Sequence, residues 1–274
     1  MIKLIATDLD GTLLSPGGRT VSERNLAVLS KAAEMGVKVI VCTGRMFMGG
    51  QRFAQLIPGD QPVIAVNGAV IRMSRSLEYL RRVSIPAAEL ADVMKYLRNE
   101  HISPWFYYGD ICYAEAVTER LEELVNRTGV TARIVNPLES LTEACPEKVL
   151  SVGSPEMVAA LQDKLSRAFE GRLYVTRSSP GQLEIMSPES TKGRALEMLA
   201  QHFGIRKEEV IAFGDNLNDI ELFSGAGIKV AMGNGEQCLK ERADIIAPSN
   251  ADSGVGQIVE KLVLEGVDPK TLMK

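Results

Sequence analysis

With 274 residues, the chain is long enough for one large domain or two ordinary ones. Hydrophobic residues at 45% and charged residues at 24% are the proportions of a soluble globular protein, and a net charge of −4 with no Lys/Arg run argues against nucleic acid or an anionic membrane as its main partner. The scattered Cys42, Cys112, Cys145 and Cys238 lack CxxC spacing and have neither His101 nor His202 beside them, which argues against a zinc site and suits a reducing cytoplasm.

The apolar opening before Asp8 is too short for a signal peptide or a membrane span. Leu4, Ile5 and Ala6 instead predict a buried strand running into "TDLDG". A helix is expected over 22–36, with Ser22 as N-cap, Gly36 as stop, and Leu26, Leu29, Ala32, Ala33 and Met35 forming its apolar face. "VKVIVCTG" (37–44) is a continuous run of the kind buried on both faces of a parallel sheet. A short helix around 47–56, a strand "VIAVNGA" (63–69) and a hairpin of "VIRM" with "YLRRVSI" follow.

The last third resumes this alternation. A helix at 191–204 precedes strands at 210–216, 228–235 and 243–248, with a short helix after Asn218 and another over 252–265. Strand–helix alternation of this kind predicts an α/β fold with a doubly wound parallel sheet. The middle has a different rhythm: helix 87–100, hairpin 104–115, helix 116–128, a strand near 131–135, strand 147–152, helix 155–169 and hairpin 172–186. This reads as an inserted α+β domain over 84–187, hinged at Ser84-Ile85-Pro86 and Ser187-Pro188, leaving 1–83 plus 188–274 as the core.

Ligands of open α/β sheets bind beyond the carboxyl ends of the strands. Here those ends spell "DLDGT", "CTGR", "VNGA", "FGDNLND" and "AMGNG". Any one alone reads as a turn, but five on one predicted edge mark a site. Asp8 and Asp10 share a face if the first strand continues, with Leu9 pointing the other way into the core. Asp215 and Asp219 end another strand and open the next helix. Several carboxylates converging on one pocket need a cation, and Mg²⁺ prefers hard oxygen ligands. With Thr43 and Lys192 added, the set describes phosphoryl transfer.

"DLDGTLL", "CTGR", "TKG" and "GDNLND", in this order, resemble the four motifs of the haloacid dehalogenase superfamily. The long insert between the second and third motifs, "AVNGA", "AMGNG" and "SNADSGV" are similar to the Cof-type sugar-phosphate phosphatases, with a type-2 cap as the insert. The resemblance implies a Rossmann-like core and a Mg²⁺-dependent phosphatase of small phosphomonoesters working through an aspartyl-phosphate. It also implies roles. Asp8 would be the nucleophile and Asp10 the general acid–base. Mg²⁺ would be held by Asp8, the Asp10 carbonyl and Asp215, with Asp219 acting through water or holding Lys192. Thr43, Gly44, Lys192 and Asn218 would bind phosphate. Asn67 is a further candidate contact, and Arg45 would either face the cap and the leaving group or form a structural ion pair.

The aromatic run "SPWFYYGD" (103–110) is expected to be ordinary strand packing in preference to a stacking platform. The expected partner is a small phosphorylated metabolite, with no nucleic acid or membrane, and the protein a monomer or small homo-oligomer. Two other functions fit the same residues. A phosphomutase would isomerise a sugar phosphate with little phosphate released. A non-catalytic binder of phosphometabolites would have no need of the intact Asp8, Asp10, Lys192 and Asp215 set.

Overall fold

The structure, a computed structural model, describes residues 1–141 and 145–274, with the side chains of residues 178 and 179 outside the description. The first run of elements is β1 (Leu4–Asp8), α1 (Glu23–Glu34), β2 (Lys38–Cys42), α2 (Phe47–Ala54), β3 (Pro62–Ala65), β4 (Val70–Met73) and β5 (Tyr79–Arg82). Next come α3 (Ala87–Asn99), β6 (Trp105–Tyr108), β7 (Ile111–Ala114), α4 (Glu119–Thr128), β8 (Thr131–Ile134), β9 (Lys148–Val152), α5 (Pro155–Ala168), β10 (Tyr174–Ser179) and β11 (Gln182–Met186). The chain then returns through α6 (Lys192–His202), β12 (Val210–Gly214), α7 (Asp219–Ser224), β13 (Ile228–Met232), α8 (Gln237–Arg242), β14 (Ile245–Ala247) and α9 (Gly254–Val259).

The larger sheet has the order β14-β13-β12-β1-β2-β3-β4-β5, parallel from β14 to β3 and antiparallel in the last two pairings. Its fully buried strands alternate between two apolar layers: Ile5, Val39 and Val41 pack on the α1, α2 and α9 side, while Leu4, Ala6 and Ile40 pack on the α6 and α7 side. Burial on both faces is why these strands read as unbroken apolar runs. β1 is flanked by β2 on one side and by β12 on the other, so the winding reverses beside β1. That reversal opens a crevice at the carboxyl ends of β1 and β12, where ligands of such sheets bind.

Between β5 and α6 the chain builds a second, six-stranded sheet of order β10-β11-β9-β6-β7-β8. One face packs under α3 and α5 through Val93, Leu97, Phe106, Leu161, Leu165 and Ile185. The opposite face carries Trp105, Tyr107 and Leu150, which join the same apolar cluster as Met46 and Phe47 of the larger unit. This unit therefore rests directly on the crevice side of the main sheet.

Two local expectations change. The buried side of α1 is Asn25, Val28, Leu29 and Ala32, whereas Met35 is exposed. Asn25 replaces an apolar residue because its amide donates to the Leu13 carbonyl and its Oδ1 accepts from the Gly256 amide, closing buried backbone groups. β1 also ends at Asp8: residues 9–13 form a wide turn in which Gly11 has φ +83°. Among the described residues no helix is long and apolar enough to cross a membrane.

Candidate active site

β1 delivers Asp8 to the edge of the crevice, 6% exposed, and the wide turn then lifts Asp10 out toward the cavity. Asp10 is thus brought to the site by the turn, and not by continued strand alternation; Leu9 still points into the core. Glycine is required in that turn for two reasons. Its φ of +83° disfavours other residues, and a Cβ at Gly11 would lie 2.2 Å from Asp215 Oδ2. Thr12 donates to Asp215 Oδ1 at 2.6 Å, fixing the carboxylate beside the turn. Asn234 donates to the Gly11 carbonyl at 2.8 Å and Asn250 to the Leu14 carbonyl, so the "AMGNG" and "SNADSGV" segments hold the loop from behind.

Lys192 opens α6 with its ammonium fully buried, 2.5 Å from Asp8 Oδ1 and 2.7 Å from Asp219 Oδ1. Asp219 Oδ2 accepts from the Asp215 and Asn216 amides at 3.0 and 3.1 Å. Both Asp219 oxygens are therefore engaged in holding Lys192 and the 215–216 loop. Burial would lower the Lys192 ammonium, but Asp219 and Asp8 outweigh it and hold it above the ordinary lysine range. Burial likewise pushes the Asp8 carboxyl well up, against the pull of Lys192 and with a push from Asp219 and Asp215. Asp215 is pushed up to about 7, first by burial and then by the Asp219 charge.

The excess negative charge suits a cation. Carboxylate oxygens of Asp8, Asp215 and Asp219 lie within 4.8 Å of one another, a set of hard ligands that could hold a divalent metal ion. Since Asp219 is spent on Lys192 and two amides, Asp8 and Asp215 are the carboxylates with capacity left for it.

On the other side of Asp8, Thr43 and Gly44 leave β2 and line a cavity of about 210 Å³ shared with Asp8, Asp10, Asn216 and Asn218. The Thr43 hydroxyl oxygen accepts from the Arg45 amide at 3.1 Å, so its own proton is available as a donor. Arg45 clasps Asp10 with two N–H groups, one at 2.7 Å from Oδ2, and also donates to the Gly18 carbonyl. Arg45 forms this ion pair, the second of its two expected roles, while also lining the cavity. Asn67, held at φ +53°, does not line the cavity; it donates to Glu184 of the inserted sheet.

The inserted sheet supplies groups that the sequence reading passed over. Lys148, 1% exposed, donates to Glu184 Oε1 at 2.8 Å and to the Gly44 carbonyl at 2.9 Å, and lies 4.6 Å from the Tyr107 ring centroid. Tyr107 faces Lys148 across β6 and β9, and Glu184 sits diagonally on β11, so all three share one face. The signal was present in "QLEIM", where Gln182, Glu184 and Met186 alternate with buried Leu183 and Ile185. A polar residue on the inward face of a strand there points at something other than solvent. Trp105, Phe106 and Tyr107 are all buried, in keeping with strand packing, though Tyr107 also lines the cavity.

A doubly wound sheet with an acidic cluster, a buried lysine and a hydroxyl donor at its switch point defines a phosphoryl-transfer enzyme. Residues 5–259 match the family of haloacid dehalogenase-like hydrolases, and the chain belongs to that family. It is 28% identical to the pyridoxal phosphate phosphatase YbhA of Escherichia coli over 94% of this chain and 97% of that protein. It is 29% identical to the 5-amino-6-(5-phospho-D-ribitylamino)uracil phosphatase YcsE of Bacillus subtilis over 96% of each. A haloacid dehalogenase-like hydrolase structure from Bacteroides thetaiotaomicron superposes with a TM-score of 0.86 at 27% identity, covering 96% of this chain and all of the other. The protein is a phosphatase of the haloacid dehalogenase superfamily, of Cof type.

Proposed function

We propose that the protein is a Mg²⁺-dependent phosphatase of small hydroxyl-rich phosphomonoesters, sugar phosphates above all, acting in the cytoplasm as a monomer or small homo-oligomer. The observation that carries this is the buried Asp8–Lys192–Asp219 chain with Asp215 beside it, opening onto a cavity walled by Thr43 and Gly44. Asp8 attacks phosphorus in line with the leaving oxygen, forming an aspartyl-phosphate. Lys192 screens the repulsion between carboxylate and phosphate, and the Thr43 hydroxyl and Gly44 amide hold its oxygens. Asp10, entering the step protonated with one oxygen released by Arg45, gives that proton to the departing alkoxide and recovers one from the water that hydrolyses the intermediate. Mg²⁺ held by Asp8, Asp215 and the Asp10 carbonyl would supply further charge neutralisation. Asp219 supports Lys192 and the 215–216 loop without binding the metal directly. Asn218 lines the same cavity at the start of α7, which supports its reading as a phosphate contact.

The preference for sugar phosphates rests on the cavity wall. Thr43, Gln182, Asn216 and Asn218 put polar side chains on that wall, while the Tyr107 ring is already covered by the Lys148 ammonium. Hydroxyls suit such a wall better than a flat ring seeking a stacking partner. YbhA and YcsE, named for pyridoxal phosphate and for 5-amino-6-(5-phospho-D-ribitylamino)uracil, also act on small phosphorylated molecules. Residues 84–187 act as a lid domain over a core of 1–83 and 188–274, excluding bulk water from the intermediate.

The test is release of phosphate from p-nitrophenyl phosphate and a panel of sugar phosphates. Activity is expected with Mg²⁺ and lost in EDTA, and Asp8→Asn is expected to fold and be inactive. Near wild-type turnover by Asp8→Asn would remove the nucleophile assignment, and a panel on which sugar phosphates rank last would remove the substrate class.

A further inference from the structure

Lys148 has been buried at a cost. An ammonium taken out of water needs partners, and replacing a buried ion pair by apolar residues is often neutral or stabilising. Stability is therefore a weak reason for placing Lys148 and Glu184, at 1% and 3% exposure, between two sheets. What the pair touches supplies a stronger one.

Lys148 Nζ binds the carbonyl of Gly44, and the same peptide plane carries the Arg45 N–H. That N–H donates to Thr43 Oγ1. The 44–45 peptide is thus pinned at both ends, by the inserted sheet through its oxygen and by Thr43 through its nitrogen. Once Thr43 Oγ1 accepts from Arg45, its hydroxyl proton is free to point into the cavity. Arg45, anchored by the same peptide, carries the guanidinium that clasps Asp10. The second partner completes the hold. Glu184 accepts from Asn67 Nδ2, and the Asn67 amide donates to the Thr43 carbonyl at 3.0 Å. Both carbonyls of the Thr43–Gly44 segment are therefore tied to the inserted sheet, one directly and one through Asn67. A Cβ at Gly44 would lie 2.9 Å from Asn67 Oδ1, so the segment has little room to adopt another arrangement.

We propose that Lys148 is a positioning residue for the reaction: seated on the Gly44 carbonyl and held by Glu184, it sets the Thr43 donor and the Arg45–Asp10 pair only when the inserted sheet is docked on the core. Docking of the lid and assembly of the phosphate loop then become one event. The Lys148 ammonium acts on the loop and not on phosphorus. This inference rests on the phosphatase reading of the site, and the test separates the two.

Lys148→Met alone leaves Glu184 buried without its cation, so the double variant Lys148→Met/Glu184→Gln, which carries no lone charge, is made beside it. Both are assayed with Mg²⁺ on p-nitrophenyl phosphate, and inhibition by inorganic phosphate is measured, since that ion has no leaving group for the lid to read. Displaced catalytic groups cost up to about 100-fold, so kcat is expected to fall about 10–100-fold and the phosphate inhibition constant to rise at least about fivefold, in whichever variant folds. Urea unfolding of the double variant is expected to stay near wild type. A purely structural role would lower stability and leave the kinetics per folded molecule unchanged. A folded variant with kcat and phosphate inhibition within twofold of wild type, or unfolding of both variants, overturns the proposal. Absence of Mg²⁺-dependent activity in the wild type would instead overturn the function on which it rests.

Discussion

Replacing Lys192 with methionine keeps most of the side-chain volume and removes an ammonium that serves two buried carboxylates, Asp8 at 2.5 Å and Asp219 at 2.7 Å. Removing one partner of a buried pair costs about 3–5 kcal/mol, because the other charge is left in a medium that cannot solvate it. Two carboxylates lose the same cation here, so the loss at pH 8 in EDTA is expected at the upper end of that range. Against a total of about 5–15 kcal/mol, the variant would be marginal. The cost should depend on pH. Burial already pushes Asp8 up, and without Lys192 its carboxyl rises further above its unfolded value. A carboxyl raised in the folded state contributes stability at low pH and loses it as pH rises. Each proton the folded variant alone retains is worth about 1.4 kcal/mol per pH unit. Urea unfolding of wild type and Lys192→Met at pH 5 and pH 8, with and without Mg²⁺, measures this. The deficit should shrink markedly at pH 5, and Mg²⁺ at pH 8 should restore part of it. An equal deficit at both pH values, or one below about 1 kcal/mol at pH 8, would refute the view that Lys192 neutralises this cluster.

Three further outcomes are expected. Mg²⁺ affinity should rise between pH 6 and pH 8, because Asp215, held up near 7 in the metal-free protein, must give up its proton to bind; calorimetry in buffers of different ionisation enthalpy should show proton release. Gly11→Ala should weaken Mg²⁺ binding and cost at least about 1 kcal/mol, since its φ is +83° and its Cβ would press on Asp215 Oδ2; titration and thermal unfolding read both. Asp10→Asn should bind Mg²⁺ as wild type does, yet lose about 100-fold or more in turnover of alkyl phosphates, whose leaving group needs the proton.

Much of the site was legible because its residues sit where buried strands stop. Asp8, Thr43 and Asp215 lie at such ends, and an acid or hydroxyl after an unbroken apolar run has few purely structural uses. The register that puts Asp8 beside Cys42 and Leu4 beside Val210 was not legible, since runs apolar on both faces carry no alternation to fix it. The path of the chain at Asp10 was not legible. Gly11 permits a turn but does not declare its width, and the close approach of Asp215 that demands glycine comes from more than 200 residues away.

The alternation of strands and helices, the inserted segment and the candidate acids, lysine and threonine were all readable along the chain, because strand burial and short motifs are local. How those charges are shared emerges only once the chain is folded. Asp219 spends both oxygens on Lys192 and the 215–216 amides, and Arg45 lies on Asp10. Lys148 and Glu184 reach from the second sheet to Gly44 and Asn67. Apart from the 215–216 amides, these pairings join residues 27 to 117 apart in the chain, which no local pattern encodes.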